Sequence, residues 1–305
     1  MTAGEIIELH RRPPSAAAFM ARALLPSPGV RADGGLPSIV QRWAGLKIDP
    51  AHLAAFGRAT GLATQDGVPI LYPHVLGFRL QMALLTHRAY PLPIWTVLQV
   101  RNRLVRHRRI EPGERLQLET RIGAHRVVEK GLEIDLHSRL EGAGDCCWES
   151  QITYFHRGRF GTAFAQTPRP PSPAIAGPTT AQRFEMARGG GLGFGKLTGD
   201  YNGIHYWPWY AMRLGFRTAF SHPQRVAGLC LARLREPDSE AQSLDLWIKG
   251  PVYYGAKLTL TSCAEEGGIH FGLSLAGENR PALAGWWRAG PVAPGQATGE
   301  SRTAE

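Results

Sequence analysis

The chain has 305 residues, of which 43% are hydrophobic and 20% are charged. This composition predicts a folded protein and excludes a disordered chain, a collagen, a coiled coil and a small disulfide scaffold. At about 150 residues per domain, the length suggests two domains. The net charge of +10 favours an anionic partner, which could be nucleic acid, an anionic lipid or a small ligand that carries phosphates.

Two features bear on where the protein acts. The four cysteines, two adjacent and two isolated, lack the spacing of a disulfide framework, so we expect reduced thiols in a cytoplasmic protein. The apolar stretch 16–25 is interrupted by Arg22 and is too short to span a membrane, and acidic residues near the start argue against a signal peptide. Ser15 predicts the N-cap of a surface helix there. We expect residues 1–37 to form an N-terminal extension.

The first half of the predicted core is one buried helix followed by alternating strands. Residues 71–86 are apolar around most of the helix circumference, which predicts a buried helix. Apolar and polar residues then alternate over 116–122 and 132–137, the period of strands with one buried face.

The second half repeats this order after a proline-rich linker, 167–180, that neither a helix nor a central strand can use. A helix is predicted over 223–234, with Pro223 in its first turn. Alternating strands are predicted over 244–249, 258–261 and 269–275.

This order predicts an α+β protein in which two antiparallel sheets each wrap around a long central helix. We place the first half at residues 38–166 and the second at residues 181–290. Residues 291–305 are expected to form a disordered tail.

The glycine run 189–195, followed by Lys196, invites comparison with a phosphate-binding loop. Leu197 stands where such a loop needs Ser or Thr for Mg²⁺, and no apolar parallel strand precedes the run. We interpret the run as a flexible loop after an edge strand at 183–188.

Five arginines predict a strand with a cationic outer face. The simplest interpretation is a solvated sheet face, and a phosphate-binding face is the alternative. Nucleic-acid binding has little support, because no aromatic residues are interleaved and no recognition helix accompanies the run. The five are Arg101, Arg103, Arg106, Arg108 and Arg109.

The segment 197–205 places a carboxylate, a carboxamide and an imidazole within six residues: Asp200, Asn202 and His205. A carboxylate and a neutral imidazole can together hold a water, remove its proton and return a proton elsewhere. Asn202 would orient them or the ligand. The competing interpretation is an Asx turn, in which Asp200 or Asn202 caps a helix expected at 206–214.

Residues 194–234 resemble the MaoC-like dehydratases, also called (R)-specific or type 2 enoyl-CoA hydratases. The resemblance is carried by Thr198-Gly199-Asp200-Tyr201-Asn202-Gly203-Ile204-His205 and by Ala219-Phe220-Ser221-His222. In that family Ser/Thr-Gly-Asp-x-Asn-Pro-Ile-His leads into a short helix, and a His-Gly pair opens the long central helix. The resemblance implies a double hotdog fold with its catalytic half at 181–290.

The half at 38–166 lacks the Asp-x-Asn-x-x-His pattern, so the resemblance implies a degenerate hotdog that lines the acyl or pantetheine channel. Pro73-His74 only weakly echoes His222-Pro223. We expect His74 to be structural, because no carboxylate accompanies it.

The resemblance implies that Asp200 and His205 add water to C3 of a trans-2-enoyl thioester, or in reverse dehydrate an (R)-3-hydroxyacyl thioester. Backbone amides at the start of the central helix would stabilise charge on the thioester oxygen. No metal or cofactor is implied. The implied partner is acyl-CoA or an acyl carrier protein rather than nucleic acid or a membrane, and the protein is expected to be a monomer or a homodimer. The implied positioning or substrate residues are Asn202, Tyr201, Gly199, Ser221, His222 and Gln224.

Two residues depart from the family pattern. Gly203 replaces the proline of the first motif, and Pro223 replaces the glycine after His222. Proline has no amide hydrogen to give an oxyanion, so the donor would be Gln224 or a neighbouring amide. An altered substrate or reduced activity is therefore expected. A hotdog acyl-CoA thioesterase and a non-catalytic acyl-thioester binding module stay open as alternatives.

Overall fold

The computed structural model describes residues 5–30, 35–111, 113–161, 172, 175, 177–278 and 280–290. Within them the α-helices are α1 (Ala16–Ala23), α2 (Pro50–Thr60), α3 (Tyr72–Leu85), α4 (Gly191–Thr198), α5 (Pro208–Arg213) and α6 (Pro223–Leu231). Short 3-10 helices lie at Ile94–Thr96 and Gly203–His205. The strands are β1 (Ile6–His10), β2 (Ile39–Leu46), β3 (Val97–Arg106), β4 (Leu116–Val128), β5 (Gly131–Gly142), β6 (Asp145–Arg157), β7 (Thr180–Glu185), β8 (Gln242–Ile248), β9 (Lys257–Glu265), β10 (Gly268–Leu275) and β11 (Leu283–Ala289).

These strands form one sheet in the order β1-β2-β4-β5-β6-β3-β8-β11-β10-β9-β7. β1 and β2 pair in parallel, and the other neighbours are antiparallel. The halves meet where β3 pairs with β8, with Arg101 opposite Trp247. The expected pair of sheets is therefore corrected to one continuous sheet. Each half supplies the hydrogen-bonding partner for an edge strand of the other.

The helix predicted over 71–86 is observed as α3, and twelve of its fourteen residues are buried. It packs against β2, β4 and β5, and the hydroxyl of Thr86 closes its end by donating to the Met82 carbonyl at 2.7 Å. A helix that is apolar all round has no face to give to water, which places it in the core. α3 is thus the central helix of the first half.

The second central helix, α6, is shorter than predicted and ends at Leu231 rather than at residue 234. The amides of Arg233 and Leu234 bond to carbonyl oxygens three residues back, at 3.0 and 3.1 Å. The chain therefore leaves the α-helix through a tighter 3-10-type turn, which satisfies carbonyls that the helix end would otherwise leave open.

The glycine run is not the loop that we predicted, because α4 begins at Gly191. A Cβ atom at Gly191 would lie 2.1 Å from the His205 carbonyl oxygen, and one at Gly195 would lie 2.6 Å from that of Asp200. Only glycine allows the helix to approach so closely. The run therefore brings α4 against the backbone of the candidate site.

The prediction of a solvated arginine face is wrong for three of the five arginines. β3 lies inside the sheet between β6 and β8, and Asp245 of β8 accepts hydrogen bonds from Arg101 at 3.0 Å and from Arg288 of β11 at 2.6 Å. Arg101 and Arg288 thus have a carboxylate as hydrogen-bond partner in place of water. Arg109, whose side chain is 58% exposed, fits the prediction. The buried three are Arg101, Arg103 and Arg106.

The ends of the chain follow the predictions in part. α1 forms after Ser15 as predicted, whereas β1 was not foreseen. β7 lies at the sheet edge as predicted, although it begins and ends three residues earlier than the strand predicted at 183–188. The predicted linker, 167–180, lies mostly outside the described residues, and the predicted tail, 291–305, lies wholly outside them. Across the described ranges, no helix has the length and apolar character needed to cross a membrane.

Candidate active site

The segment 198–205 folds as a series of turns held by its own polar side chains. The backbone N–H of Asn202 donates to Asp200 Oδ1 at 3.1 Å, and the backbone N–H of Ile204 donates to Asn202 Oδ1 at 3.2 Å. The predicted Asx turn is therefore present, but the predicted cap is corrected: Asn202 caps the 3-10 helix Gly203–His205, and α5 begins after Trp207 without a side-chain cap. The turn also orients Asp200, because its Oδ1 is held by the backbone while its Oδ2 faces His205.

His205 is only 4% exposed, and its Nδ1 lies 3.0 Å from the Phe220 carbonyl oxygen. A carbonyl can only accept, so Nδ1 carries the hydrogen and Nε2 is turned toward Asp200. The distance from His205 Nε2 to Asp200 Oδ2 is 3.6 Å, which is longer than a direct hydrogen bond. An oxygen atom of a bound molecule could therefore contact both side chains.

His222 stacks on His205 from the start of α6. The two ring centroids are 3.8 Å apart and the planes differ by 26°. His222 Nε2 lies 3.3 Å from the Asp200 carbonyl oxygen and 3.9 Å from Asp200 Oδ2, so the ring contacts both members of the pair. The side chain is fully buried. His222 thus restrains the His205 ring and the Asp200 backbone together.

Burial drives the electrostatics of the site. It raises the pKa of the Asp200 carboxyl, and the neighbouring His205 works in the opposite direction. It lowers the pKa of His205, against the raising influence of Asp200 and of the Phe220 carbonyl. Burial and the neighbouring His205 together hold the pKa of His222 well below its ordinary value. Burial therefore disfavours the charged form of all three side chains, and the attraction between Asp200 and His205 partly offsets this effect.

A cavity of about 400 Å³ opens beside the pair, and both halves line it. The first half and the N-terminal extension contribute mainly apolar side chains from α1, α3 and β3. Of the predicted site residues, His222 lies outside the lining. Those that line the cavity are Gly199, Asp200, Tyr201, Asn202, His205, Ser221 and Gln224.

The lining residues that the sequence analysis did not single out include Phe19 of α1, Gln99 of β3 and Tyr154 of β6. Gln99 accepts a hydrogen bond from the Gln224 side chain at 3.1 Å, and Tyr154 donates to Gln81 of α3 at 2.7 Å. For Gln99, the sequence offered one sign of a role in the cavity: it is a polar residue within the apolar run 97–100. Nothing in the sequence marks the other two, because the topology of the sheet brings them to the cavity.

Among the residues that the structure describes, two groups of side chains could hold a metal ion. In one, ligand atoms of Asp200, His205 and His222 lie within 4.8 Å of one another. His222 Nε2 would have to give up its bond to the Asp200 carbonyl to bind a metal there. The other group, at the outer end of β3 and β6, is His107, Cys146 and Glu149.

Comparison with known proteins gives the site a context. No protein-family model matches the chain. Over 241 residues it is 27% identical to 3-hydroxyacyl-thioester dehydratase X of Mycobacterium tuberculosis, covering 78% of this chain and 85% of that protein. The crystal structure of a MaoC-like dehydratase from Phytophthora capsici superimposes with a TM-score of 0.70 at 16% identity, covering 84% of this chain and 95% of that one. The resemblance to the MaoC-like dehydratases is confirmed.

The fold resembles that of a conserved hypothetical protein from M. tuberculosis that has a double hotdog fold, with a TM-score of 0.57 at 15% identity, covering 87% of this chain and 98% of that one. Against the MaoC-like pattern, the departure at Pro223 falls at the first position of α6. The first bond of that helix runs from the Val226 amide to the His222 carbonyl at 3.1 Å. The amides of Gln224 and Arg225 precede it, so they have no partner within the helix.

Proposed function

We propose that the protein is a hydro-lyase that interconverts trans-2-enoyl and (R)-3-hydroxyacyl thioesters. The observation that carries the proposal is the pair of Asp200 and His205, which face each other across 3.6 Å on the wall of a largely apolar cavity. The similarity to a protein named as a 3-hydroxyacyl-thioester dehydratase supports the same reaction class.

The pair can carry the reaction with one exchangeable proton. His205 Nε2 has a lone pair, because the ring hydrogen is on Nδ1, which donates to the Phe220 carbonyl. In hydration, His205 takes a proton from water as the water oxygen bonds to C3. The Asp200–His205 pair then delivers that proton to C2, which returns the pair to its starting state. Dehydration runs through the same steps in reverse.

Charge that develops on the thioester oxygen needs hydrogen-bond donors. We assign this role to the backbone N–H groups of Gln224 and Arg225. They follow Pro223 in the first turn of α6, where no carbonyl of the helix accepts from them. The positive end of the helix dipole adds to their effect. Pro223 removes one donor that the family pattern has, so the oxyanion would sit one residue further along the helix.

The proposed reaction needs no redox change, and we propose that the protein uses no metal or organic cofactor for it. The substrate brings its own carrier, coenzyme A or the phosphopantetheine of an acyl carrier protein. The net charge of +10 suits either, because both carriers are phosphorylated.

The test is to incubate the protein with trans-2-enoyl-CoA and to follow the enoyl absorbance and the free thiol together. We expect loss of the enoyl absorbance, formation of (R)-3-hydroxyacyl-CoA and no thiol release. Thiol release without hydration would instead identify a thioesterase. Tight binding without turnover at any chain length would identify a binding module.

A further inference from the structure

Three polar side chains, two of them buried and one half-buried, connect the first half to the candidate active site. Gln224 Nε2 of α6 donates to Gln99 Oε1 of β3 at 3.1 Å, and Gln99 Nε2 lies 3.4 Å from His74 Nε2 of α3. All three elements belong to the core, and the link crosses from one half to the other. We refer to these three side chains as the His74-Gln99-Gln224 relay.

The hydrogen bonds of the relay point in one direction. The amide nitrogen of Gln99 can only donate, so His74 Nε2 accepts and the hydrogen of that ring is on Nδ1. Burial keeps the ring neutral, since it lowers the pKa of His74 to about 4. With its nitrogen turned to His74, Gln99 offers its oxygen to Gln224. Gln224 Nε2 donates to that oxygen, which leaves Gln224 Oε1 as the last atom of the relay.

That oxygen, Gln224 Oε1, is buried and has no hydrogen-bond partner in the part of the chain that the structure describes. The Gln224 side chain lines the cavity, next in the sequence to Pro223 and three residues from Ser221, whose Oγ is also buried without a partner. An unpaired buried carbonyl is unfavourable. A ligand that brings an O–H or N–H group into the cavity would remove that cost.

We propose that Gln99 is a positioning residue, which holds the Gln224 carbonyl oxygen toward the cavity to accept a hydrogen bond from the bound thioester. This inference rests on the proposed function, because it takes the ligand to be an acyl thioester. Such a ligand has two kinds of donor: the 3-hydroxyl of the hydrated form and the amides of the phosphopantetheine arm. His74, in the half without catalytic residues, anchors the relay.

Steady-state kinetics of four variants test the proposal, with 3-hydroxyacyl-CoA and trans-2-enoyl-CoA of one chain length as substrates. The variants are Gln99→Leu, Gln224→Leu, the double variant and Thr86→Val. Thr86→Val is the matched control, because Thr86 is buried and lines the same cavity while its hydroxyl donates to Met82 of its own helix. The urea midpoint of each variant verifies that it is folded.

We expect Gln99→Leu and Gln224→Leu each to raise KM by about 3- to 10-fold, the contribution of one hydrogen bond, with kcat changed by less than about 2-fold. The double variant should show no further rise, because both changes remove the same interaction. A rise in KM for the 3-hydroxyacyl thioester alone identifies the 3-hydroxyl as the donor. A rise in KM for both substrates identifies an amide of the phosphopantetheine arm as the donor.

The proposal is overturned if Gln99→Leu leaves both KM values at those of Thr86→Val, or if the two effects multiply in the double variant. Failure of the proposed function has a different signature, since wild type would then neither hydrate the enoyl thioester nor dehydrate the 3-hydroxyacyl thioester. In that case the Kd of the intact 3-hydroxyacyl-CoA replaces KM, with the same expected pattern across the variants.

Discussion

Gly203 lies directly against the ring of Trp207. A Cβ atom at Gly203 would come within 2.7 Å of Trp207 Cε3 and 2.9 Å of Tyr210 Cδ1. This contact accounts for the departure from the family pattern, which has proline here, because the two rings occupy the space that a proline ring would need. The turn between Asp200 and His205 is therefore supported from outside by aromatic packing.

The first prediction follows from this contact. Gly203→Ala and Gly203→Pro should each lower the free energy of unfolding by about 1–3 kcal/mol, because the added carbons overlap the rings, and should displace His205 enough to lower kcat/KM. Gly193→Ala is the control, since nothing lies within 4 Å of a Cβ there. Urea unfolding and hydration kinetics provide the measurements. A Gly203→Pro variant as stable and active as wild type would contradict the explanation.

The second prediction concerns the charge coupling within the pair. Burial lowers the pKa of His205, and the Asp200 carboxylate partly opposes that effect. Asp200→Asn removes the opposing charge, so the pKa of His205 should fall further below its ordinary value. Imidazole NMR titration of wild type and variant measures the shift, and His74, which titrates at a pKa of about 4, should not move. An upward shift of His205 would show that the two groups are not coupled as described.

The third prediction concerns the junction of the halves. Asp245 bonds to Arg101 and Arg288, and all three side chains are buried. Asp245→Asn removes the carboxylate to which both buried guanidinium groups bond and should cost about 3–5 kcal/mol of stability. Glu236→Gln is the control. The Glu236 side chain is 57% exposed and pairs with Arg106 at 3.3 Å, so its replacement should lower the free energy of unfolding by less than about 1 kcal/mol. Equal urea midpoints for the two variants would refute this account of the junction.

The fourth prediction is a loss of stability in acid. His156 is buried beside the Tyr90 hydroxyl, 2.9 Å from its Nε2, and burial lowers its pKa to about 4. Its pKa in the unfolded chain is about 6.5, so the unfolded state binds a proton between these values. Stability from this group is present above pH 6.5 and is lost as the pH falls toward 4. Urea unfolding at several pH values measures this loss. The free energy of unfolding should fall less with pH in His156→Gln than in wild type, and the glutamine keeps a hydrogen-bond partner for Tyr90.

Much of the fold could be predicted because periodicity reports local burial. The apolar run at 71–86 matched α3 to within one residue at each end, since a helix buried on all sides is marked at every turn. Asp200 and His205 were also visible in the sequence as a candidate pair, because the motif 198–205 is contiguous. Their roles stay predictions, while the structure brings Asp200 and His205 together.

What could not be predicted depends on contacts between distant segments. The arginines of β3 have the pattern of a solvated face, and only the pairing of β3 with β8 brings Asp245 to Arg101. The glycines of α4 resemble a loop until the close approach of Gly191 to the backbone of His205 is known. Gln99 belongs to the cavity for the same reason, since no local pattern encodes which strand of the first half faces α6.

The central claim is that Asp200 and His205 act as the proton-transferring pair, and kcat/KM for hydration of trans-2-enoyl-CoA tests it most directly. Asp200→Asn and His205→Gln, with Asp66→Asn at an exposed carboxylate as control, separate the pair from general effects of charge. We predict a loss of about 10²- to 10⁴-fold in each pair variant and none in the control. Full activity in either pair variant, with both proteins folded, would contradict the account.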